Sequence, residues 1–286
     1  MKQYKVLQRA FSFLEKYDRE AHAAELLLQH MTKQNPTSFY MKMQEELDEA
    51  LIEAFMQHIK DHAISGRPIQ HIIGQAAFYG RDFFVNKKVL IPRFETEEVV
   101  WHALEQIKRH FPNEAVTLAD LGTGSGVIAI TLALEVPHAT VYASDISEQA
   151  LAVAAKNADL HEAPVKFFQG DFLQALIAEG INPELIVSNP PYIARDEAEA
   201  LTDTVKDFDP EAALFADKQG LAAYETILSQ VACLPRIEKR LLIFEIGYKQ
   251  GAAVSKMIKA AWPKCEVLVL QDINGQDRIV SAVIEA

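Results

Sequence analysis

Over roughly the first 70 residues, apolar positions recur at three- and four-residue spacing in KVLQRAFSFLEKY, AELLLQHM and EALIEAFMQHIKDHAI, which predicts helices that each bury one face. Asn35, Pro36, Thr37 and Ser38 interrupt that pattern as a turn, and Gly66-Arg67-Pro68 ends it. The next stretch, HIIGQAAFYGRDFFVNKKVLIP, is rich in β-branched and aromatic residues around Gly74, Gly80 and Asn86-Lys87. It predicts a β-hairpin joining two domains.

From Pro92 onward the periodicity alternates between strand and helix, the mark of a parallel sheet covered on both faces. The expected strands are VTLADLG, TVYASD, VKFFQGD, ELIVSNP and RLLIFEIG, each followed by a helical stretch. Then the alternation stops, and EVLVLQD and DRIVSAVIE flank Ile273, Asn274, Gly275 and Gln276, where Asn-Gly signals a hairpin. A dinucleotide dehydrogenase would ordinarily continue with βα units instead. The predicted division is a helical domain over residues 1–74, a hairpin linker over 75–92 and an α/β domain over 93–286.

Composition narrows the classes. A chain of 286 residues, 49% hydrophobic and 24% charged, is ordinary for a globular protein. Its N-terminal residues MKQYKVLQRAFSFLEKYDRE mix charges among the apolar positions, so no signal peptide is expected, and no stretch nears the roughly 18 apolar residues of a membrane span. The cysteines, Cys233 and Cys265, lie far apart without partner spacing, which suits a reducing, cytoplasmic setting. Net charge is −12 and unevenly spread: residues 1–92 hold 12 Lys/Arg against 11 Asp/Glu, residues 93–286 hold 16 against 29. No basic stripe of the kind that grips many phosphates is visible, so stable nucleic-acid binding is not expected.

Two motifs carry chemistry. The first is Asp120-Leu121-Gly122-Thr123-Gly124-Ser125-Gly126, which follows an apolar strand and opens an apolar helix. Glycines let such a turn lie against a ligand that a Cβ would exclude. Its G-x-G-x-G spacing differs from the G-x-G-x-x-G of pyrophosphate binders and favours S-adenosylmethionine, which has no pyrophosphate. Asp145 lies 23 residues after Gly122, where an acid accepts both ribose hydroxyls. Asp171 and Phe172 follow the next strand, placed to meet an adenine amino group and pack against its face. Alternatively the glycines are plain turn residues, with Ser147 and Asp171 capping helices.

The second motif, Ser188-Asn189-Pro190-Pro191-Tyr192, ends the fourth strand. An amide NH2 is a poor nucleophile because its lone pair is delocalised, so it must be held with that pair aimed at the methyl donor. The Asn189 side-chain oxygen and the Pro190 carbonyl can accept its two hydrogens, and leaving either buried without a partner costs about 1–3 kcal/mol. The rings of Pro190 and Pro191 restrict drift of that carbonyl. Tyr192 offers an aromatic face to a planar group. The bland alternative is a strand-terminating turn.

Together these residues resemble the Asn-Pro-Pro-Tyr enzymes that methylate exocyclic or amide nitrogens. The chain is similar almost end to end to release-factor glutamine methyltransferases, through RPIQHIIG at 67–74, FYG at 78–80, VLIPRFETE at 89–97, DPEAALF at 209–215, Gly220-Leu221, EIG at 245–247 and NGQDR at 274–278. It departs from their usual pattern at Phe94, Asp209 and Ala216-Asp217. The resemblance implies a Rossmann-like class I methyltransferase sheet with a small N-terminal helical domain that docks class I peptide chain release factors. It also implies S-adenosylmethionine as cofactor, leaving S-adenosylhomocysteine, and entry of the glutamine of the factor's Gly-Gly-Gln loop beside Asn189. The DNA and rRNA amino-methyltransferases share only the two short motifs and form the alternative substrate class. A catalytically silent module that binds a translation factor is the third reading.

Minor features stay open at this level. Arg93, Glu95 and Thr96 either close over the cofactor or approach the substrate, unless Glu95 only stabilises the first turn of the helix it begins, and Glu245 is either a capping acid or a site residue. The nine histidines show no metal-ligand spacing. Residues 45–53 read as a solvated helix face, and 194–204 as an exposed loop.

Overall fold

The computed structural model describes residues 1–112 and 114–285. These form two compact units: Met1–Gln75 with Thr202–Phe208, and Ala76–Leu201 with Asp209–Ala286. The segment 202–208, assigned from sequence to the α/β domain, clusters with the helical unit.

The helical unit comprises α1 (Gln3–Glu15), α2 (His22–Thr32), α3 (Pro36–Met41), α4 (Glu49–Ser65) and α5 (Ile69–Ile73), with α10 (Asp203–Lys206) from the later segment. Its core is built from the predicted apolar stripes, where Val6, Ala10 and Leu14 meet Leu27, Leu28, Phe55 and Ile59, together with Phe39, which lies outside them. The expected turn at Asn35 is the start of α3: the Asn35 side chain accepts from the Ser38 N–H at 2.8 Å, with Pro36 in the first helical position. Asp48 caps α4 in the same way, and Gly66 ends it in the left-handed region. Arg19 forks onto Asp203 at 2.6 and 2.5 Å.

The second unit begins at Ala76, within β1 (Gln75–Phe78), and continues into β2 (Arg81–Phe84). Tyr79 and Gly80 both take positive φ, as a two-residue hairpin turn requires. The hairpin is shorter than the stretch 75–92 predicted for it. Val85, Val89 and Ile91 lie beyond β2, buried against Ala76, Ala150 and Val153.

A seven-stranded sheet follows, ordered β5-β4-β3-β6-β7-β9-β8. Its strands are β3 (Val116–Leu121), β4 (Ala139–Asp145), β5 (Val165–Gln169), β6 (Leu185–Ser188), β7 (Lys239–Glu245), β8 (Glu266–Gln271) and β9 (Asp277–Glu285). All neighbours from β5 to β7 pair in parallel, and β9 pairs antiparallel with both β7 and β8. The fold class predicted from the alternation is therefore the one observed.

Between the strands run α6 (Phe94–His110), which precedes β3, then α7 (Val127–Glu135), α8 (Glu148–Leu160) and α9 (Gln174–Ala178). After β6 come a 3-10 helix (Arg195–Ala200), the short turns α11 (Glu211–Leu214) and α12 (Asp217–Gly220), then α13 (Ala222–Cys233) and α14 (Gly251–Ala261). The stretch 194–204 is thus partly helical rather than a plain loop. At the final hairpin only Gly275, not Asn274, takes positive φ. Asp272 organises that turn by accepting from the N–H groups of Asn274 and Gln276 at 2.9 and 3.0 Å. One apolar layer lies on each face of the sheet, the first around Val99, Leu118, Ile130 and Ile243, the second around Leu121, Ile186, Tyr224 and Phe244.

One buried side chain ties the hairpin to the sheet. Asn157 on α8, fully buried, accepts from the Phe84 N–H at 2.7 Å and donates to the carbonyls of Phe84 at 3.0 Å and Ser125 at 2.8 Å. Replacing Asn157 by Ala strands these backbone groups and is expected to lower stability by about 2 kcal/mol or more in urea unfolding. An unchanged midpoint would show that the backbone finds other partners.

Candidate active site

The C-terminal ends of β3, β4 and β6 open into one cleft, enclosing about 1050 Å³ including its solvent-open mouth. The edge is where an open α/β sheet places ligands, because the strand order reverses between β3 and β6 and the helices that follow them, α7 and α13, pack on opposite faces and leave a crevice. Gly122, Thr123, Gly124 and Ser125 line it, as do Asp145, Asp171 and Phe172 from the next two strand ends. Asn189 and Pro191 face the same space. Gly126 does not; a Cβ there would sit 2.9 Å from Ile130 Cδ1 and 3.1 Å from Ala154 Cβ, so this glycine serves helix packing.

The turn spends its backbone donors internally. The N–H groups of Gly122 and Thr123 both reach the Ser144 carbonyl at 2.9 Å, and that of Gly126 reaches the Thr123 carbonyl at 2.8 Å. The Gly124 N–H goes to Asp145 Oδ2 at 2.9 Å, while Asp145 Oδ1 takes the Ser147 N–H at 2.9 Å. A pyrophosphate needs such N–H groups free, so the loop is not built for one. Gly124 has φ +55°, and a Cβ on it would meet no protein atom within 4 Å, so a side chain here would occupy the cleft itself. Ser147 caps α8 through Ala150, as the alternative reading held. The Asp171 carboxylate makes no hydrogen bond among the described residues, so it is open to the cleft rather than spent as a cap.

These features fit a nucleoside with a diol. Asp145 keeps lone pairs beyond its bonds to backbone N–H groups, and burial raises its carboxyl above the usual range. Asp120 lies beneath the turn, with Oδ2 accepting from Thr123 Oγ1 at 2.6 Å and the Ala129 N–H at 3.1 Å, and with Oδ1 buried and unpartnered. Its burial pushes it up to about 7. Among the described residues no group of three or more His, Cys, Asp or Glu is placed to hold a metal ion.

The second motif is braced from behind. Asn189, half-buried, donates through Nδ2 to Thr96 Oγ1 at 3.1 Å, and Thr96 donates to Glu245 Oε2 at 2.7 Å. Pro190 is buried, and its carbonyl takes no hydrogen bond among the described residues. Tyr192 sits off the cleft wall, its hydroxyl donating to Glu245 Oε1 at 3.4 Å; burial and the Glu245 charge hold that hydroxyl protonated. The Tyr192 carbonyl accepts from Gln250 Nε2 at 2.9 Å.

Sequence reasoning did not single out Asn157, Gln250 or the cleft wall from Lys88, Val89, Leu90 and Ala212-Ala213. The resemblance to VLIPRFETE and DPEAALF was the available signal. It also places the departures: Phe94 is 66% exposed, so proline is not required there by packing. Asp209, though shorter than glutamate, accepts from Arg93 Nη2 at 2.7 Å, and burial raises its carboxyl despite the facing guanidinium.

Comparison with known proteins agrees with this geometry. Residues 103–221 match the family described as Methyltransferase small domain, and residues 5–74 match the PrmC N-terminal domain. The chain is 42% identical to the release factor glutamine methyltransferase of Bacillus cereus across 100% of both chains. It is 43% identical to that of Bacillus subtilis (strain 168), across 98% of this chain and 97% of the relative. In fold alone it is similar to the hMettl16 catalytic domain in complex with MAT2A 3'UTR hairpin 1, with TM-score 0.56 and 12% identity over 85% of this chain and 83% of that one.

Gly220 tests the bracing. It has φ +79°, and a Cβ on it would fall 2.0 Å from the Tyr192 carbonyl oxygen, so Gly220→Ala must displace the Asn-Pro-Pro-Tyr backbone. The expected outcome is a soluble protein that keeps cofactor affinity in calorimetry but loses turnover by about 10-fold or more. Native turnover in that variant would show the backbone to be tolerant.

Proposed function

The chain belongs to the release factor glutamine methyltransferase family, and from that premise we propose that it transfers a methyl group from S-adenosylmethionine to the side-chain amide nitrogen of the Gly-Gly-Gln glutamine of class I peptide chain release factors. The observation that carries the proposal is Asn189 at the cleft wall, with its Nδ2 tied to Thr96 and its oxygen left for a substrate N–H.

When bound, S-adenosylmethionine supplies a methyl group on a sulfonium, electrophilic enough to be taken by a weak nitrogen nucleophile. Asp145 would hold its ribose, the Gly122–Gly124 turn would approach its backbone side, and Asp171 with Phe172 would hold the adenine. Asn189 Oδ1 and the Pro190 carbonyl each accept one amide hydrogen of the glutamine. With both hydrogens held, the planar amide has one face turned to the donor, and positioning supplies much of the rate. Pro191 lines the cleft and Pro190 is buried, so the carbonyl has little freedom to move. Tyr192 closes the motif, with its ring anchored through Glu245.

The helical unit, with 70 of its residues matching the PrmC N-terminal domain, is the docking element for the release factor. The acidic balance of residues 93–286 disfavours stable nucleic-acid binding. No described helix is long and apolar enough to cross a membrane, and the cytoplasm, where release factors act, is the proposed location.

Methyl-labelled cofactor with purified release factor is expected to place label on the loop glutamine, located by mass spectrometry. Asn189→Ala should lower turnover by about 100-fold or more with cofactor binding intact. Label on DNA or rRNA in preference to the factor would overturn the substrate assignment.

A further inference from the structure

Asn189 raises a question of polarity. An amide side chain has a donor end and an acceptor end of nearly the same shape, and only the oxygen can receive a substrate N–H. Flipped, Asn189 would set an NH2 group against another NH2 group. Some interaction behind it must decide which end faces the cleft.

Two side chains stand there, Thr96 at the start of α6 and Glu245 at the end of β7, 3% and 1% exposed. A hydroxyl has one proton. Thr96 gives it to Glu245 Oε2 at 2.7 Å, so only its lone pairs remain for Asn189, and these accept the Nδ2 hydrogen at 3.1 Å. Turned the other way, the Asn189 oxygen would meet those lone pairs without a hydrogen between them.

We infer that Glu245 and Thr96 are positioning residues that set the amide polarity of Asn189, turning its oxygen to the substrate amide. The inference rests on Asn189 being the acceptor in the reaction proposed above. Glu245 is not part of the cleft lining, and Thr96, which lines the cleft beside Asn189, sets the polarity of Asn189 from there.

The arrangement carries a pH dependence. The groups around the Glu245 carboxylate are Thr96 and Glu95 from α6, Tyr192 after β6 and Arg278 from β9, with Tyr224 of α13 donating to the Glu245 main-chain carbonyl at 2.8 Å. Arg278 spends its hydrogen bonds on Asp272 and the Ile246 carbonyl, so it reaches Glu245 only through its field. Burial therefore dominates and pushes Glu245 up to about 7, against the opposing Thr96 bond and Arg278 charge. Above that pH the carboxylate accepts from Thr96 and the polarity is held. As pH falls through it, the carboxyl gains a proton of its own to donate, the Thr96 proton is freed toward Asn189, and the amide flips. Turnover should fall with it.

The test assays native protein, Asn189→Ala, Thr96→Val, Thr96→Ser and Glu245→Gln with a purified class I release factor, from about pH 6 to about pH 9. Thr96→Val, which keeps the shape and removes the hydroxyl, should lower kcat by about 10-fold or more with KM and cofactor affinity unchanged, and Thr96→Ser should restore it. Native kcat should drop on the acid side near pH 7, and Glu245→Gln should lose that limb. Native kcat in Thr96→Val, with Asn189→Ala inactive, would sink the relay and leave the function standing. Native kcat in Asn189→Ala would instead remove the acceptor role on which the relay depends. Should Thr96→Val fail to fold, the Glu245→Gln profile decides: an acid limb identical to native overturns the inference.

Discussion

Strand β3 is paired in parallel on both sides, with β4 along Val116–Leu121 and with β6 from Leu118 onward. Everything at the site follows from that pairing. Parallel strands end at the same edge of a sheet, so the glycine turn after β3, Asp145 at the end of β4 and Asn189 after β6 converge without any sequence proximity. The same geometry gathers carboxyls where few solvent molecules reach them. Asp120 and Glu245, at the ends of β3 and β7, are both pushed up to about 7 by burial.

The edge also sets what sort of ligand fits. A helix start after a glycine turn is commonly an anion site, yet here the donors of Gly122, Thr123 and Gly124 are turned back onto Ser144 and Asp145. What remains facing the cleft is acceptor-rich on the side of Asp145 and Asp171. On the other side the Asn-Pro-Pro-Tyr backbone is pinned by Gln250 and by the absence of a Cβ at Gly220. The reacting group would thus be held by parts that do not need to reorganise, which is where positioning catalysis gets its advantage.

Individual elements show where sequence reasoning held and where it slipped. The strand alternation and the terminal antiparallel pair were readable because periodicity is local and burial follows it. The hairpin is shorter than its apolar pattern over 75–92 predicts, since Val85, Val89 and Ile91 are apolar through packing on Ala150 and Val153 rather than through strand pairing. Asn35-Pro36 looked like a break but is a capped helix start, two outcomes that share the same residue preferences. Asn-Gly at 274–275 marked the hairpin correctly, while the carboxylate that shapes it, Asp272, carried no signal of its own.

By itself the sequence determined the helical N-terminal region, the parallel sheet, the glycine turn with Asp145 and the Asn-Pro-Pro-Tyr motif, because each is encoded within a few tens of neighbouring residues. Tertiary structure decided how those pieces are held. Thr96 meets Asn189 across 93 positions and Glu245 across 149, and Asn157 reaches Phe84 across 73. Such partners are chosen by strand order and helix packing, which no local preference of backbone or side chain specifies, and a buried polar group must then take whatever partner the fold brings to it.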